Sequence, residues 1–94
     1  MVRIIWSPDA ADDLESICDY IAEDSDYYAR VFVNGVIKAI ERLMIFPESG
    51  RIVPEYDQKD IREIIFQNYR IVYRVKSDTI EIVAITHGAR LMEE

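Results

Sequence analysis

Residues 61–86, IREIIFQNYRIVYRVKSDTIEIVAIT, decide the fold of this 94-residue chain. Three runs in this stretch are rich in β-branched and aromatic residues: Ile61 to Phe66, Tyr69 to Lys76, and Thr79 to Thr86. Only two residues, Gln-Asn and then Ser-Asp, separate one run from the next. Because two-residue connections join antiparallel strands, the sequence predicts a three-stranded antiparallel meander.

Upstream of the meander, the sequence predicts a strand followed by a helix. The apolar run from Val2 to Trp6 favours a short strand. Ser7, Pro8 and Asp9 then form a helix start. A serine side chain caps the first unpaired amides, proline suits the first helical position, and a carboxylate is favourable at the positive end of the helix dipole. We expect this helix to end near Glu23.

A second helix follows the polar residues 23–26, with Ser25 or Asp26 as its N-cap. Its apolar residues recur at helical spacing and form a wide stripe, which indicates packing against both the first helix and a sheet. These residues are Ala29, Phe32, Val33, Val36, Ile37, Ile40, Leu43 and Met44. Residues 47–60, which contain two prolines and one glycine, are expected to form a polar loop.

The predicted order is therefore strand, helix, helix, strand, strand, strand, in one α+β domain over residues 1–94. We expect the helical hairpin to return the chain to the end of the sheet where the first strand finishes. The second and fourth strands would then run opposite to the first. The predicted sheet is antiparallel, in the spatial order 1-4-3-2, with both helices on one face and the other face open.

Composition excludes several classes of protein. The formal net charge of −7 argues against a general nucleic-acid binder, because phosphate contacts need clustered lysines and arginines. No run approaches the roughly 18 apolar residues of a membrane span, and the N-terminus does not resemble a signal peptide, so we expect a cytoplasmic protein without membrane contact. The one histidine and one cysteine lie far apart and make no metal ligand set, so neither metal nor cofactor is expected.

The acidic chain nevertheless carries arginines where chemistry is possible. Strand alternation assigns Arg70 and Arg74 to the open face, and His87 to the same face just past the last strand. A ribonuclease that cleaves through the 2′-hydroxyl needs a base, an acid and cations on the phosphate. Arg70 and Arg74 would hold the phosphate, while Glu55 and His87 would serve as base and acid in either order.

The same residues also allow a purely structural interpretation. Arg62 with Glu63, or Arg74 with Glu81, would pair across neighbouring strands, as exposed arginines commonly do. A lone histidine such as His87 is more often structural than catalytic.

Four fragments in this order resemble the RelE/ParE superfamily of toxins from type II toxin–antitoxin modules. They are WSPDAADDLESICDYI (6–21), PESGRIVPE (47–55), IREIIFQNYRIVYRV (61–75) and IEIVAITHGARLM (80–92). The resemblance covers nearly the whole chain and implies the fold predicted above, together with a cognate antitoxin. RelE-like members cleave messenger RNA on the ribosome, whereas ParE-like members poison DNA gyrase. The acidic balance and the fragments SGR, YRIVYRV and HGAR are more similar to the ParE branch.

Three functional hypotheses follow from this resemblance. The favoured one is a growth-inhibiting toxin that binds DNA gyrase without chemistry of its own. The alternatives are a ribosome-dependent messenger RNA endoribonuclease and a non-toxic protein-binding module. If the protein acts by binding, the residues expected to contact the target or the antitoxin are Arg51, Arg62, Arg70, Arg74 and Arg90. We expect the antitoxin to place apolar anchors on the helices and acidic residues against Arg70 or Arg74.

Overall fold

The computed structural model describes residues 2–88 and confirms the predicted α+β class. Two helices pack on one face of a five-stranded sheet, and the main core lies between these layers. Among the described residues, neither helix has both the length and the apolar character needed to cross a bilayer. In chain order the elements are β1 (Arg3–Trp6), α1 (Pro8–Ala22), α2 (Asp26–Arg42), β2 (Arg51–Ile52), β3 (Ile61–Phe66), β4 (Tyr69–Val75) and β5 (Thr79–His87).

Both helices begin at the predicted serine caps. The Ala10 amide donates to Ser7 Oγ over 3.0 Å, and the Tyr28 amide donates to Ser25 Oγ over 3.2 Å. Each bond satisfies one of the amides that a helix N-terminus leaves without an intrahelical partner. Helix α1 ends one residue before the predicted Glu23, which serves as its C-cap.

The order of the strands across the sheet is β1-β5-β4-β3-β2. This confirms the predicted 1-4-3-2 arrangement of the four longer strands and adds a two-residue edge strand, β2. The sequence analysis assigned β2 to the loop, because Arg51 and Ile52 are too few for any periodicity to be visible.

The predicted direction of the last three strands relative to β1 is wrong, because β1 and β5 pair in parallel. After the helical hairpin, the chain is at the end of the sheet where β1 finishes. The segment between α2 and β3 then carries it back to the opposite end, and β2 runs antiparallel to β3 as part of that return. Parallel neighbours need such a crossover, and residues 43–60 complete it.

The sheet face opposite the helices is not fully open. Val53 inserts from the returning segment and packs with Ile61 and Val72 in a second buried cluster, which Tyr56 partly covers. The prediction of an open face is therefore wrong over this part of the sheet. The returning segment buries apolar residues of β3 and β4 that alternation alone would leave in solvent.

A β-bulge in β5 changes the side-chain alternation near its C-terminal end. Val72 lies opposite Ala84, and the next residue of β4, Tyr73, lies opposite Ile82, so Val83 is the extra residue. Helix α1 holds this bulge: Ser7 Oγ donates to the Val83 carbonyl over 3.0 Å, and the Ile85 amide donates to Asp13 Oδ2 over 2.9 Å.

The bulge exchanges the predicted faces of two residues. Ala84 joins the cluster around Val72, whereas Ile85 enters the main core beneath the helices. The next residue of that parity, His87, lies opposite Tyr69, which also belongs to the helix-covered face.

Candidate functional site

Arg70 lies in the middle of an ion-pair network on the sheet face away from the helices. Its Nε donates to Glu63 Oε1 over 2.5 Å. Its Nη1 and Nη2 donate to the two oxygens of Glu55 over 2.7 and 2.9 Å. Only 4% of the residue is exposed, so the prediction that Arg70 is open to a foreign molecule is wrong in this structure.

Glu63 joins Arg70 to a second arginine. Its other carboxylate oxygen, Oε2, accepts from Arg51 Nε, and Arg51 lies opposite Glu63 in the β2–β3 pairing. The Glu63 side chain is fully buried, whereas that of Arg51 is 65% exposed. We call the sequence Arg51–Glu63–Arg70–Glu55 the salt-bridge chain. It alternates in charge and runs from the surface into the protein and back to the loop.

The electrostatics of this chain keep Arg70 charged. The hydrogen bonds that Arg70 donates to Glu55 raise the pKa of Arg70, burial lowers it, and the hydrogen bond and negative charge of Glu63 raise it further. A buried carboxylate such as that of Glu63 is tolerated only when it is paired and hydrogen-bonded. The bidentate contact with Glu55 also fixes the turn at residues 54–56 against β4.

Arg74 lies four residues further along β4 on the same face and is more accessible. Its side chain is 42% exposed, and its Nε lies 3.6 Å from Asp60 Oδ2. The predicted pairing of Arg74 with Glu81 is not observed. Glu81 pairs instead with Lys76, whose Nζ lies 3.6 Å from Glu81 Oε1. Arg74 is therefore a loosely paired cation at the rim of the same face.

Arg62 does not join this site. Strand alternation turns it to the helix-covered face, opposite Tyr73, where it donates to the carbonyls of Gly50 and Glu48 over 2.9 and 3.2 Å. Its predicted pairing with Glu63 is wrong, since the two side chains leave β3 on opposite faces.

His87 also lies apart from the two arginines of β4. Its ring meets Tyr69 edge-to-face, with centroids 5.7 Å apart, and Tyr69 packs against Phe32 of α2. The prediction that His87 shares a face with Arg70 is wrong, because the bulge at Val83 shifts the alternation by one residue. Arg90 falls outside the described residues.

The predicted ribonuclease set is thus only partly assembled. The structure brings Glu55 into contact with Arg70, as that hypothesis requires, and leaves Arg74 nearby on the same face. It places His87 on the other face. Among residues 2–88, no three histidine, cysteine or acidic side chains come together as a possible metal site.

The sequence analysis did not recognise the roles of two residues that organise the site. Glu63 of β3 and Arg70 of β4 lie on the same face of the sheet as diagonal neighbours. The two-residue turn between the strands fixes the register and therefore determines this contact. Tyr73 is fully buried, and its hydroxyl accepts from the Gly50 amide over 2.9 Å, which anchors the segment leading into β2. Burial raises the pKa of Tyr73.

A cavity of about 410 Å³ opens beside the salt-bridge chain. It is lined by Arg51, Pro54, Glu55, Arg70 and Gly88, so both arginines of the chain border the same space. Its volume lies near the lower end of the range of small-molecule pockets, and two of its five lining residues are arginines.

The sequence profile of the family described as ParE toxin of type II toxin-antitoxin system, parDE, matches residues 4–92. The chain belongs to the ParE toxin family. It is also 33% identical over 92 residues to Toxin RelE2 of Caulobacter vibrioides, covering 97% of this chain and 100% of that relative. Both matches are to toxins of the wider RelE/ParE superfamily, so the predicted resemblance is confirmed.

The fold of this ParE-family toxin is similar to that of a chain in the chromosomal ParDE TA system from P. aeruginosa. The TM-score is 0.76 at 23% identity, and the match covers 93% of this chain and 96% of that one. As a ParE-family member, the chain is a toxin of a type II toxin–antitoxin system and has a cognate antitoxin as its partner.

Proposed function

We propose that this toxin arrests growth by binding DNA gyrase and that it carries out no covalent chemistry. The burial of Arg70 between Glu55 and Glu63 supports this proposal most strongly. Nε, Nη1 and Nη2 of this guanidinium each donate to a carboxylate, so a substrate phosphate would have to displace Glu55 or Glu63 to bind there in the same way. Membership of the ParE family points in the same direction.

Acid–base geometry gives a second line of support. Cleavage through a 2′-hydroxyl needs a base and an acid within hydrogen-bond reach of the same phosphodiester. Glu55 is already bound to Arg70, and His87 packs against Tyr69 on the helix side of the sheet. The geometry of the described residues therefore supports a binding surface, with Arg74 at its rim, over a reaction centre.

The test is a supercoiling assay with purified toxin and purified gyrase. We expect loss of supercoiling at stoichiometric toxin, with weaker inhibition by Arg74→Ala, because Arg74 is a partly exposed cation at the rim of the proposed surface. Lys38→Ala is the matched control: it removes the same charge from an exposed position on α2. Normal supercoiling at a large excess of toxin would rule the proposal out.

A second candidate function is ribosome-dependent cleavage of messenger RNA. The name of the relative, Toxin RelE2, and the contact between Glu55 and Arg70 favour it. Primer extension on messenger RNA from a cell-free translation reaction would detect the cut ends. Under this candidate, Arg70→Ala and His87→Ala both abolish growth arrest; if both variants remain fully toxic, the ribonuclease function is excluded.

The antitoxin is expected to neutralise the toxin by covering the same sheet face and the helices. Acidic antitoxin residues would face Arg74, while apolar residues would pack on the exposed side chains of α2. Copurification after coexpression with the antitoxin, for wild type and Arg74→Glu, measures this contact. Induced expression without antitoxin that leaves growth normal would indicate a non-toxic binding module instead.

A further inference from the structure

The two carboxylates that hold Arg70 differ in how they are fixed. Glu63 belongs to β3, is fully buried and is shared by Arg51 and Arg70. Glu55 comes from the turn at residues 54–56, and its side chain is 17% exposed beside the cavity. Glu63 is thus built into the sheet, whereas Glu55 reaches the fork of Arg70 from the edge of the cavity.

Counting only residues 2–88, the charges that border the cavity balance because Glu55 is present. Arg51 and Arg70 supply two positive charges, and Glu63, which both share, supplies one negative charge. Glu55 provides the second negative charge through the terminal nitrogens of Arg70. Without it, two guanidiniums would border the same recess with a single buried carboxylate between them, and this arrangement attracts an anion.

The contact itself identifies the shape of a suitable anion. Nη1 and Nη2 of Arg70 bind the two oxygens of one carboxylate at 2.7 and 2.9 Å, which is normal geometry for a charged bidentate pair. The site is therefore complementary to a carboxylate already. Any other carboxylate on a chain that enters the recess beside Pro54 and Gly88 would meet the same two donors.

The overall charge of the protein selects the source of that carboxylate. Nucleic acid would approach a chain of net charge −7 against electrostatic repulsion, whereas a single acidic side chain on a protein can be brought in by neighbouring contacts. A protein segment also displaces Glu55 with a group of the same kind, so that neither charge nor hydrogen-bond count changes at Arg70.

We propose that the recess between Arg51 and Arg70 is a carboxylate-binding site for an acidic residue of a partner protein, and that Glu55 occupies it as an internal substitute when no partner is bound. The partner enters by exchanging its carboxylate for that of Glu55, which swings into solvent with its turn. The inference goes beyond inhibition of gyrase: it concerns how a protein partner, the antitoxin of this family in the first place, engages the toxin.

The experiment removes the internal carboxylate and supplies one from solution. The full-length Glu55→Ala chain is heated in the presence of N-acetylglutamate amide, at constant ionic strength. We expect Tm to rise with the logarithm of the ligand concentration above the Kd, by roughly 6–11 °C at ten times the Kd, since the ligand binds the folded state alone. N-acetylglutamine amide, which has the same shape without the charge, should leave the Tm of Glu55→Ala unchanged. N-acetylglutamate amide should likewise leave the Tm of the wild-type chain unchanged, because Glu55 already occupies the site.

Asp60→Ala is the matched control variant, because it removes a loop carboxylate that lies near Arg74 and outside the recess. If it responds to the ligand as strongly as Glu55→Ala, binding is not specific to the recess and the proposal fails. Inorganic phosphate that stabilises Glu55→Ala more than the carboxylate does would also overturn it, in favour of a phosphate ligand.

A folding defect in Glu55→Ala does not block the test. Its refolding yield then becomes the measurement: recovery with N-acetylglutamate amide, but not with the glutamine analogue, supports the site, and equal recovery with both or neither overturns it. A second substitution, Arg51→Ala in the Glu55→Ala chain, should lower the affinity for the acid at least several-fold. Gyrase takes no part in these measurements, so their failure leaves the proposed target unaffected.

Discussion

Arg70 illustrates how a charged side chain in an alternating strand becomes part of the protein interior. Its neighbours in β4 point it away from the helices, as the alternation predicts, but Glu55 and Glu63 then enclose it. Arg74, two positions further along on the same face, keeps a side chain that is 42% exposed. Two arginines with the same strand parity therefore make very different contributions to stability.

We predict that Arg70→Met costs about 3–5 kcal/mol of unfolding free energy, because it leaves the buried Glu63 without its interior cation. Arg74→Met, which breaks a long, half-exposed contact with Asp60, should cost no more than about 1 kcal/mol. Urea unfolding followed by circular dichroism compares the two. Equal losses would mean that the salt-bridge chain does not stabilise the fold.

Tyr73 gives a pH-dependent prediction. Burial raises its pKa in the folded state, so the unfolded chain loses the phenolic proton first, near its usual pKa of about 10. The stability that neutral Tyr73 contributes is present below that pH and is lost as the pH rises above it.

Tyr73→Phe should therefore destabilise the protein by about 1–2 kcal/mol near pH 8, because the Gly50 amide loses its acceptor. Near pH 10.5 the difference from wild type should become smaller, because only the wild type still loses stability through this phenol. Tyr27→Phe, at an exposed position, is the control and should show no such change. If the difference in unfolding free energy between wild type and Tyr73→Phe grows as the pH rises, the raised pKa of Tyr73 is contradicted.

The sequence predicted which residues carry the site's charge but not how accessible they are. Alternation gave the faces of Arg70 and Arg74 correctly, because the hairpin register follows from a two-residue turn. It did not show that Glu55 encloses Arg70 or that Val53 covers Val72, since those contacts depend on how an irregular segment returns across the sheet. Irregular segments have no periodicity to read.

The two helix caps allow a direct comparison of a local contact with a longer-range one. Ser7 and Ser25 each accept an amide at the start of a helix, but Ser7 also donates to the Val83 carbonyl at the bulge of β5. Ser7 thus joins the first helix to the last strand across 76 positions in sequence.

We predict that Ser25→Ala lowers the free energy of unfolding by about 1 kcal/mol, the usual value of an N-cap. Ser7→Ala should cost about 1 kcal/mol more, because a carbonyl at the bulge also loses its donor. Parallel denaturant titrations of the two variants measure the difference. A Ser7 variant no less stable than the Ser25 variant would show that the contact with Val83 contributes nothing.

Regular elements were predictable and the exceptions to regularity were not. The first helix and the three meander strands were found within about one residue, because caps and periodicity identify them, whereas the second helix was predicted to include Met44 and ends at Arg42. The bulge at Val83 left no mark in the sequence, since apolar residues on both sides of it suit either face. That single extra residue moves His87 away from Arg70, so a local irregularity decides which residues can act together.

The direction of β1 relative to the later strands was the main error in the strand topology, and it has a clear cause. The returning segment between α2 and β3 was treated as a local loop, whereas it crosses the sheet and reverses every later strand relative to β1. The sheet is thereby closed at one edge by a pair whose partners are far apart in sequence, Arg3 with Thr79 and Trp6 with Ile82.

Such a pair should form late in folding and as part of one cooperative transition. Trp6, the one tryptophan of the chain, lies in β1 and packs against the main core, so its fluorescence reports this pairing. We predict that unfolding followed by Trp6 fluorescence and by far-ultraviolet circular dichroism gives coincident curves, as a two-state domain of this size requires. A fluorescence transition at lower denaturant would show that β1 detaches independently.

The long separation between β1 and its neighbour has a consequence for the cell that makes this protein. Translation adds about 5–20 residues per second, so β1 waits about 4–15 s before the strand beside which it lies has been made. The sheet is incomplete throughout that interval. The core between the sheet and the helices therefore cannot close until nearly all of the described chain has been synthesised, and the completed fold lags the start of translation by this interval.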